Sequence, residues 1–441
     1  MEKFVVNGGK KLIGKVKVSG AKNVVLKALV AGCLTEEKIV IKNVPLISDV
    51  FIMIGIIKEL GGIVGIENHT VTIQVKKIKN KKIALDKAAE VRTSAMFLVP
   101  LLARSKEALV PNPGGCRIGA RPIDRTIEGL KRMGVSIAYE RDDGYFHAKT
   151  NGLQGTEYTF DKNTHTGTET MILAGVLAKG RTVLKNAALE PEIDELIQLL
   201  NQMGGVVRRV NDREIVIDGI EKLHGTEFVV GPDRNEVVTY AIASILTEGE
   251  VIVEGAVVKG LEEFLEALQR CGGGFEEKEN GLRFFYKGKL RATDITTQCY
   301  PGFMTDWQSP WAVLMTKAQG VSIVHETVFE SRFGYVDELK KMGAHIEFFN
   351  PEVHDPKKVY NFNIDNKTKK KFHAIKIHGP VRLHNAVVGI SDLRAGATLV
   401  LAALAASGRS VIFGIEKLDR GYEAFDKSLS HLGANMKRVK E

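Results

Sequence analysis

The sequence predicts an α/β repeat protein, six helix-and-strand units of about 70 residues each, grouped as two domains of three. Three observations carry this reading. A helix-like segment ending in an apolar residue and glycine recurs six times, as IIKELGGIV, GLKRMGVSI, LLNQMGGVV, ALQRCGGGF, ELKKMGAHI and SLSHLGANM. Each copy has an earlier helix that is apolar nearly all round and rich in small residues, and short β-branched runs lie between the helices. A helix apolar on every face belongs in an interior, so three of them side by side, screened by sheets, make a sensible core.

Taken in order, Met1 to Val18 alternates apolar and basic residues, which reads as a strand pair. The inner helices follow as NVVLKALVAGCL, TSAMFLVPLLA, ETMILAGVLA, VVTYAIASIL, PWAVLMTKA and AGATLVLAALAA, while KIVIKNV, RTVLKNA, EVIVEGA and GVSIVHET read as strands. Gly61, Gly134, Gly204, Gly272, Gly343 and Gly433 should each end an outer helix in a left-handed C-cap. They stand 73, 70, 68, 71 and 90 residues apart. The sixth unit is long because it holds NPEVHDPKKVYNFNIDNKTKKK, read as a surface insertion.

Lys plus Arg number 62 against 53 Asp plus Glu, a net charge of +9. That suits nucleic acid, an anionic membrane or small anionic substrates. The runs Lys76 to Lys82 and Lys367 to Lys371 lack interleaved aromatics and read as solvated faces, so small anions stay open. The N-terminus has no apolar block of a signal peptide, and the longest apolar run, around Ala395 to Ala406, is short of the roughly 18 residues of a membrane span. A cytoplasmic protein without membrane attachment is expected. The cysteines, Cys33, Cys116, Cys271 and Cys299, are too scattered for a disulfide framework, and no spacing suggests a metal, so neither metal nor cofactor is expected.

Charged residues concentrate at the starts of the inner helices: Lys22 and Asn23 in SGAKN, Arg92 in EVRTS, Lys162 and Asn163 in DKNTHTG, Asp233 and Arg234 in GPDRNE, Asp306 in MTDWQ, Asp392 and Arg394 in SDLRA. Free N–H groups and the positive dipole end make such termini anion sites. N-capping would account for Asp233, Asp306 and Asp392. It does not account for Lys22, Arg92, Lys162 or Arg394, whose charges oppose the dipole unless an anion sits there. In the first three units the link to the outer helix runs from Asn43 to Asp49, Asn112 to Asp124 and Asn186 to Asp194, separations of 6, 12 and 8. The second link uses its extra length for Gly114, Gly115, Cys116 and Arg117. Nearby cations draw a thiol toward the thiolate, so this loop reads as a lid carrying a reactive group, with the glycine pair letting it move. Cys33, Cys271 and Cys299 read as packing residues.

SGAKN, PGGCRIGARP, EPEID, GPDR, TDWQ, ETVFESRF, DLRA and DRGYE, in this order, resemble the UDP-N-acetylglucosamine enolpyruvyl transferases. The resemblance runs to Arg438, apart from Pro351 to Lys371. It implies the inside-out α/β barrel, with one domain of residues 1–21 plus 231–441 and another of 22–230. It also implies transfer of enolpyruvate from phosphoenolpyruvate to the 3′-hydroxyl of UDP-N-acetylglucosamine with release of phosphate, the first committed step of peptidoglycan synthesis. By resemblance Cys116 is the general acid and forms an adduct with phosphoenolpyruvate, Lys22, Arg121 and Arg420 hold the phosphate, and Arg394 and Arg420 hold the carboxylate. Asp306 takes or orients the hydroxyl proton. Arg121, Pro122, Ile123, Asp124 and Arg125 contact the uridine, Lys162, Asn163, Thr164 and His165 the diphosphate, and Asn23, Arg92, Asp306 and Val328 belong to the remaining substrate contacts. Fosfomycin would label Cys116, and a monomer without nucleic-acid partners is expected.

This sequence departs from the family where Thr164, His165 and Thr166 replace a run resembling Ser-Val-Gly, where Thr126 replaces a common His, and where Met96 replaces a common Trp. His165 either donates to the phosphates or packs. Two rivals are weighed. A 5-enolpyruvylshikimate-3-phosphate synthase would lack the cysteine loop and the uridine contacts, and a non-catalytic basic repeat protein binding nucleic acid has only the charge in its favour.

Overall fold

Four of the six inner helices lie between two parallel neighbours of one sheet, while Lys22–Ala31 and Arg234–Leu246 each follow a strand of one sheet and precede a strand of another, in the computed structural model, which describes residues 2–115, 118, 123–365 and 368–440. Parallel pairing of Glu157–Thr159 with Arg181–Lys185 brackets the helix His165–Gly175; Ile295–Thr296 with Gly320–His325 brackets Gln308–Met315; Val387–Gly389 with Arg409–Phe413 brackets Leu393–Ala405. Parallel neighbours need such a crossover, and the helix covers the sheet face. In the second repeat the parallel strand has shrunk to one bridge, Lys82 with Leu109.

The chain divides into two compact units. The first comprises Met1–Ser19 and Pro232–Glu441, with Ile118 counted in it, and the second holds the other described residues between Gly20 and Gly231. Each unit has three sheets around three inner helices. Three sheets are completed by strands far apart in sequence, one of them by Glu2–Asn7, which lies between Arg409–Phe413 and Asn435–Lys440 in the first unit. In the first unit Ile13–Lys17 pairs with Glu250–Glu254, and in the second Glu227–Val229 pairs with Ile39–Lys42. The two chain passages are each fixed by the backbone: Asp233 N–H donates to the Ser19 carbonyl at 2.9 Å in the first unit, and Ala21 N–H donates to the Gly231 carbonyl at 2.7 Å in the second.

The inner helices are buried as their composition requires. Every residue of Arg234–Leu246 is buried, and so is Leu393–Ala405 up to its last residue. Trp307, Trp311, Phe264 and Phe303 pack edge to face beside them in the first unit, with centroids 5.6 to 6.3 Å apart. Long cations close the far ends of two helices. Arg104 Nη1 donates to the carbonyls of Cys33, Thr35 and Val75, and Lys317 Nζ donates to the Leu246 carbonyl. Both satisfy carbonyls that a helix C-terminus leaves free.

All six outer-helix glycines have φ between +83° and +102°. After each one, the next N–H reaches back five residues: Gly62 to Ile57, Val135 to Leu130, Gly205 to Leu200, Gly273 to Leu268, Ala344 to Leu339 and Ala434 to Leu429. This is the Schellman pattern, and a side chain at the left-handed position would be strained.

The insertion falls elsewhere than the glycine spacing suggests. It joins His345–Phe349 to Ala374–Gly379, which pair in the sheet of the fifth repeat. The corresponding hairpins turn tightly, from Glu67 to Thr70, Asn211 to Glu214 and Lys278 to Gly281.

Candidate active site

In the second unit the predicted residues gather at helix starts. Lys22 opens Lys22–Ala31, whose N-cap position, Ala21, supplies no side-chain acceptor. Its ammonium lies 2.7 Å from Oδ2 of buried Asp49, in the first turn of Ser48–Glu59. The cation that opposes one helix dipole is thus compensated by the acid that starts the next helix. Asn23 follows it, half-buried. Arg92 opens the 3₁₀ turn Arg92–Phe97, which runs into Leu98–Ser105.

The root of the lengthened link lies against this segment. Gly114 and Gly115 N–H donate to the Ala88 and Ala89 carbonyls at 3.0 and 3.1 Å. A Cβ on Gly114 would stand 1.8 Å from the Ala89 oxygen, and Gly115, at φ +103°, would bring one within 3.3 Å of Arg92 Cβ. The glycine pair, expected to let the loop move, is required here for close approach. Cys116, Arg117, Arg121 and Pro122 lie outside the described residues.

Two further segments adjoin. Thr164 caps His165–Gly175 by accepting from Gly167 N–H at 3.2 Å, and Asn163 donates to the Ala187 carbonyl at 3.3 Å. Arg125, just after Ile123 and Asp124 at the start of Asp124–Arg132, donates to Asp161 at 2.6 Å, beside half-buried Lys162. The expected uridine and diphosphate segments are therefore tied together. His165 Nε2 lies 3.1 Å from Glu169 Oε1, whose other oxygen is 3.2 Å from Lys27 Nζ. Burial alone would push the imidazole pKa down, but Glu169 outweighs it and holds the pKa above the usual value. His165 is thus engaged inward by a buried carboxylate.

In the first unit three helix starts converge. Asp233 and Asp392 are N-caps, accepting from Asn235 and Glu236 N–H and from Arg394 and Ala395 N–H. Asp306 is not: it lies inside the turn Thr305–Trp307, whose cap position is Met304. One Asp306 oxygen meets the Arg332 guanidinium and the other is 3.4 Å from Arg394 Nη2. Arg394 Nη1 donates to the Tyr422 hydroxyl at 3.0 Å, which is 2.7 Å from Thr239 Oγ1. Burial opposes the Arg394 charge, but Tyr422, Asp306 and Asp233 more than offset it, so its pKa is raised. The Trp307 indole donates to Asn235 at 3.0 Å, which joins the third helix start. Arg234 is structural, donating to the Gly260 carbonyl at 3.2 Å with Tyr300 stacked on it.

Val328 is nearly buried in a turn organised by Glu326, which accepts from the Val328 and Phe329 N–H groups and from the Thr305 hydroxyl. Glu326 is pushed above the ordinary carboxyl pKa by burial, against the pull of Arg332 and Thr305. Because Thr305 precedes Asp306, this carboxyl fixes Val328 relative to Asp306. Arg420 is half-buried, two residues before Tyr422. Reasoning from helix starts passed over Arg332, Tyr422 and Glu326, since none lies at one. Their signal was membership in ETVFESRF and DRGYE.

The family model of EPSP synthase (3-phosphoshikimate 1-carboxyvinyltransferase) matches residues 6–429. UDP-N-acetylglucosamine 1-carboxyvinyltransferases of Acidobacterium capsulatum and Protochlamydia amoebophila are each 40% identical, spanning 100% of this chain and 96% and 95% of theirs. That of Bartonella henselae is 39% identical over 100% of both. The chain belongs to the UDP-N-acetylglucosamine 1-carboxyvinyltransferase family. As a member it is an enolpyruvyl transferase, and the reading as a non-catalytic nucleic-acid binder falls away.

Solved structures support the same architecture for this family member. The enolpyruvyl transferase NikO from Streptomyces tendae superposes with a TM-score of 0.86 at 23% identity, covering 100% of this chain and 99% of that one. EPSP synthase from Acinetobacter baumannii gives 0.73 at 18% identity over 100% of both. The fold is that of the enolpyruvyl transferases, the inside-out α/β arrangement with helices within and sheets without. No helix among the described residues is long and apolar enough to cross a membrane.

Proposed function

We propose that this chain transfers enolpyruvate from phosphoenolpyruvate to the 3′-hydroxyl of UDP-N-acetylglucosamine with release of phosphate, as the names of its relatives indicate for them. The observation that carries the reading is the placement of Asp306 between Arg332 and Arg394 at converging helix starts. The two compact units serve as the two domains. In the cell the reaction is the first committed step of peptidoglycan synthesis, supporting cell-wall growth, shape and division, in a cytoplasmic monomer.

The chemistry assigns roles. Cys116 protonates C3 of phosphoenolpyruvate as the sugar oxygen adds to C2; the ketal then loses phosphate from C2 while a C3 proton returns to the thiolate. Arg394 and Arg420 hold the carboxylate, and Lys22, Arg121 and Arg420 the phosphate. Arginine suits this because its planar fork binds oxyanions at two points. Arg394 retains a donor for it, since its buried Nε has no hydrogen-bond partner. Asp306 takes or orients the hydroxyl proton: each of its oxygens faces one guanidinium and keeps a further lone pair, so the carboxylate can accept the 3′-hydroxyl proton as the oxygen adds to C2. Asn23, Arg92, Ile123, Asp124, Arg125, Lys162, Asn163, Thr164 and Val328 contact the nucleotide sugar.

Phosphate release from phosphoenolpyruvate tests this directly. It should depend on UDP-N-acetylglucosamine; dependence on shikimate-3-phosphate instead would replace the reading with the synthase named by the family model. Cys116→Ser should lose most turnover yet bind nucleotide sugar, and fosfomycin should label Cys116.

A further inference from the structure

A cluster of metal-binding side chains lies on the sheet that carries the insertion, away from the helix starts described above. His345 is directly opposite His378 across the antiparallel strands His345–Phe349 and Ala374–Gly379. Glu347 is two residues along, so its side chain shares their face. The two imidazoles stack with centroids 4.2 Å apart. Glu347 Oε1 lies 3.5 Å from His345 Nε2 and 3.4 Å from His378 Nε2. Lys376, cross-strand from Glu347, places its ammonium 5.0 Å from the centroid of the Phe349 ring. His378 Nε2 is shielded and has no hydrogen-bond partner.

We propose that His345, Glu347 and His378 form a site for a divalent transition metal of the zinc class. One ligand atom from each lies within 4.8 Å of the other two. Tetrahedral zinc with bonds of about 2.0–2.1 Å has ligand-to-ligand edges of about 3.4 Å, which matches both carboxylate–imidazole distances. Only the two imidazoles must approach further, by side-chain rotation. Two imidazoles with one carboxylate suit zinc, copper or nickel better than magnesium or calcium, and three protein ligands leave a fourth position for water. The consequence lies in the chain between the strands. His345–Phe349 and Ala374–Gly379 lead into and out of the insertion, so a metal on His345, Glu347 and His378 would tie together the two strands that carry it, at the end away from its flanking pair Phe349 and Ala374. The insertion in turn donates Asn361 N–H to the Thr327 carbonyl at 2.7 Å, next to Val328.

The test is calorimetric titration of the full chain with Zn²⁺ alone, in the Cys116→Ser background to silence the loop thiol. One zinc should bind and raise the Tm. Loss of even an outer partner of a metal ligand costs about 10–100-fold in affinity, so His345→Asn and His378→Asn should each weaken binding by at least that, and Glu347→Gln should also weaken it. Unchanged affinity and stoichiometry in the histidine variants would overturn the site. A second measurement needs no variant at the cluster: zinc should protect His345 and His378 from diethylpyrocarbonate, and equal labelling with and without zinc would count as refutation.

Discussion

Asp306 meets Arg394 at 3.4 Å although the two begin different repeats. The pair exists because the βαβ units of one domain bring their helix starts together, so residues 88 apart in sequence share one ion-pair network. Asp306→Asn keeps the shape and removes the charge that orders two guanidinium groups. A kcat loss of about 10²–10³-fold is expected, in the range of other positioned polar groups in active sites. A loss of only a few fold, in a variant with unchanged circular dichroism, would remove Asp306 from the mechanism.

Tyr422→Phe isolates the support behind Arg394. The phenol joins Arg394 to Thr239, and a hydrogen bond to a charged group is worth about 1.5–3 kcal/mol. The KM for phosphoenolpyruvate should rise roughly tenfold or more, while nucleotide-sugar affinity holds. Equal changes for both substrates would mean a general loss of packing.

Much of this architecture was legible in the chain. Gly61, Gly134 and their four counterparts marked helix ends because a left-handed cap has one cheap solution. The apolar inner helices marked a core by the same directness. Asp306 shows where local reasoning stops, because Asp at a helix start looks like a cap, as Asp233 and Asp392 are, and only the guanidinium groups of Arg332 and Arg394 separate them. Those partners come from other segments, and sequence periodicity carries no information on long-range pairing. The insertion was visible by composition, but its sheet was not, since glycine spacing counts residues and says nothing of strand register.

Gly114→Ala should disturb the loop root without unfolding the chain. Its Cβ would fall 1.8 Å from the Ala89 carbonyl, so the backbone at the foot of the cysteine loop must move. Turnover should fall by at least tenfold or so, given the cost of small misplacements in a catalytic group, and fosfomycin labelling of Cys116 should slow. Gly65→Ala is the control, as its added Cβ meets nothing within 4 Å and its φ is ordinary. Equal behaviour of the two variants would contradict the close-approach argument.

Glu169→Gln should destabilise the second domain. Glu169 is fully buried, and its oxygens face His165 and Lys27. Removing one member of a buried charge cluster costs about 3–5 kcal/mol. The His165 pKa, held up by Glu169 against burial, should fall, as read by NMR titration. The sign follows from linkage. A raised folded-state pKa contributes stability below the unfolded value, about 6.5, and that contribution fades as pH rises through the folded value. The wild-type stability advantage over the variant should therefore shrink at alkaline pH, and an advantage that grows there would contradict the pairing.

Acidification should loosen the insertion. His325 Nε2 and the Tyr360 hydroxyl lie 3.1 Å apart, and His373 packs against Tyr360 and Phe362. Both histidines have depressed pKa values, chiefly from burial; each feels a further like charge, His325 from His373 and His373 from Lys371, with Glu330 and the Thr368 carbonyl opposing for His373. A histidine kept neutral in the closed state takes up a proton first in the open one. Its contribution to closure is therefore complete above the ordinary pKa of about 6.5 and is lost as pH falls below it. Hydrogen exchange, corrected for intrinsic rates, should show the Tyr360 and Asn361 amides less protected at pH near 5.5 than near 7.5. His373→Gln removes one titrating group and should flatten that difference. Protection that is unchanged, or that rises on acidification, would mean the box of His325, Tyr360, Phe362 and His373 does not hold the insertion closed.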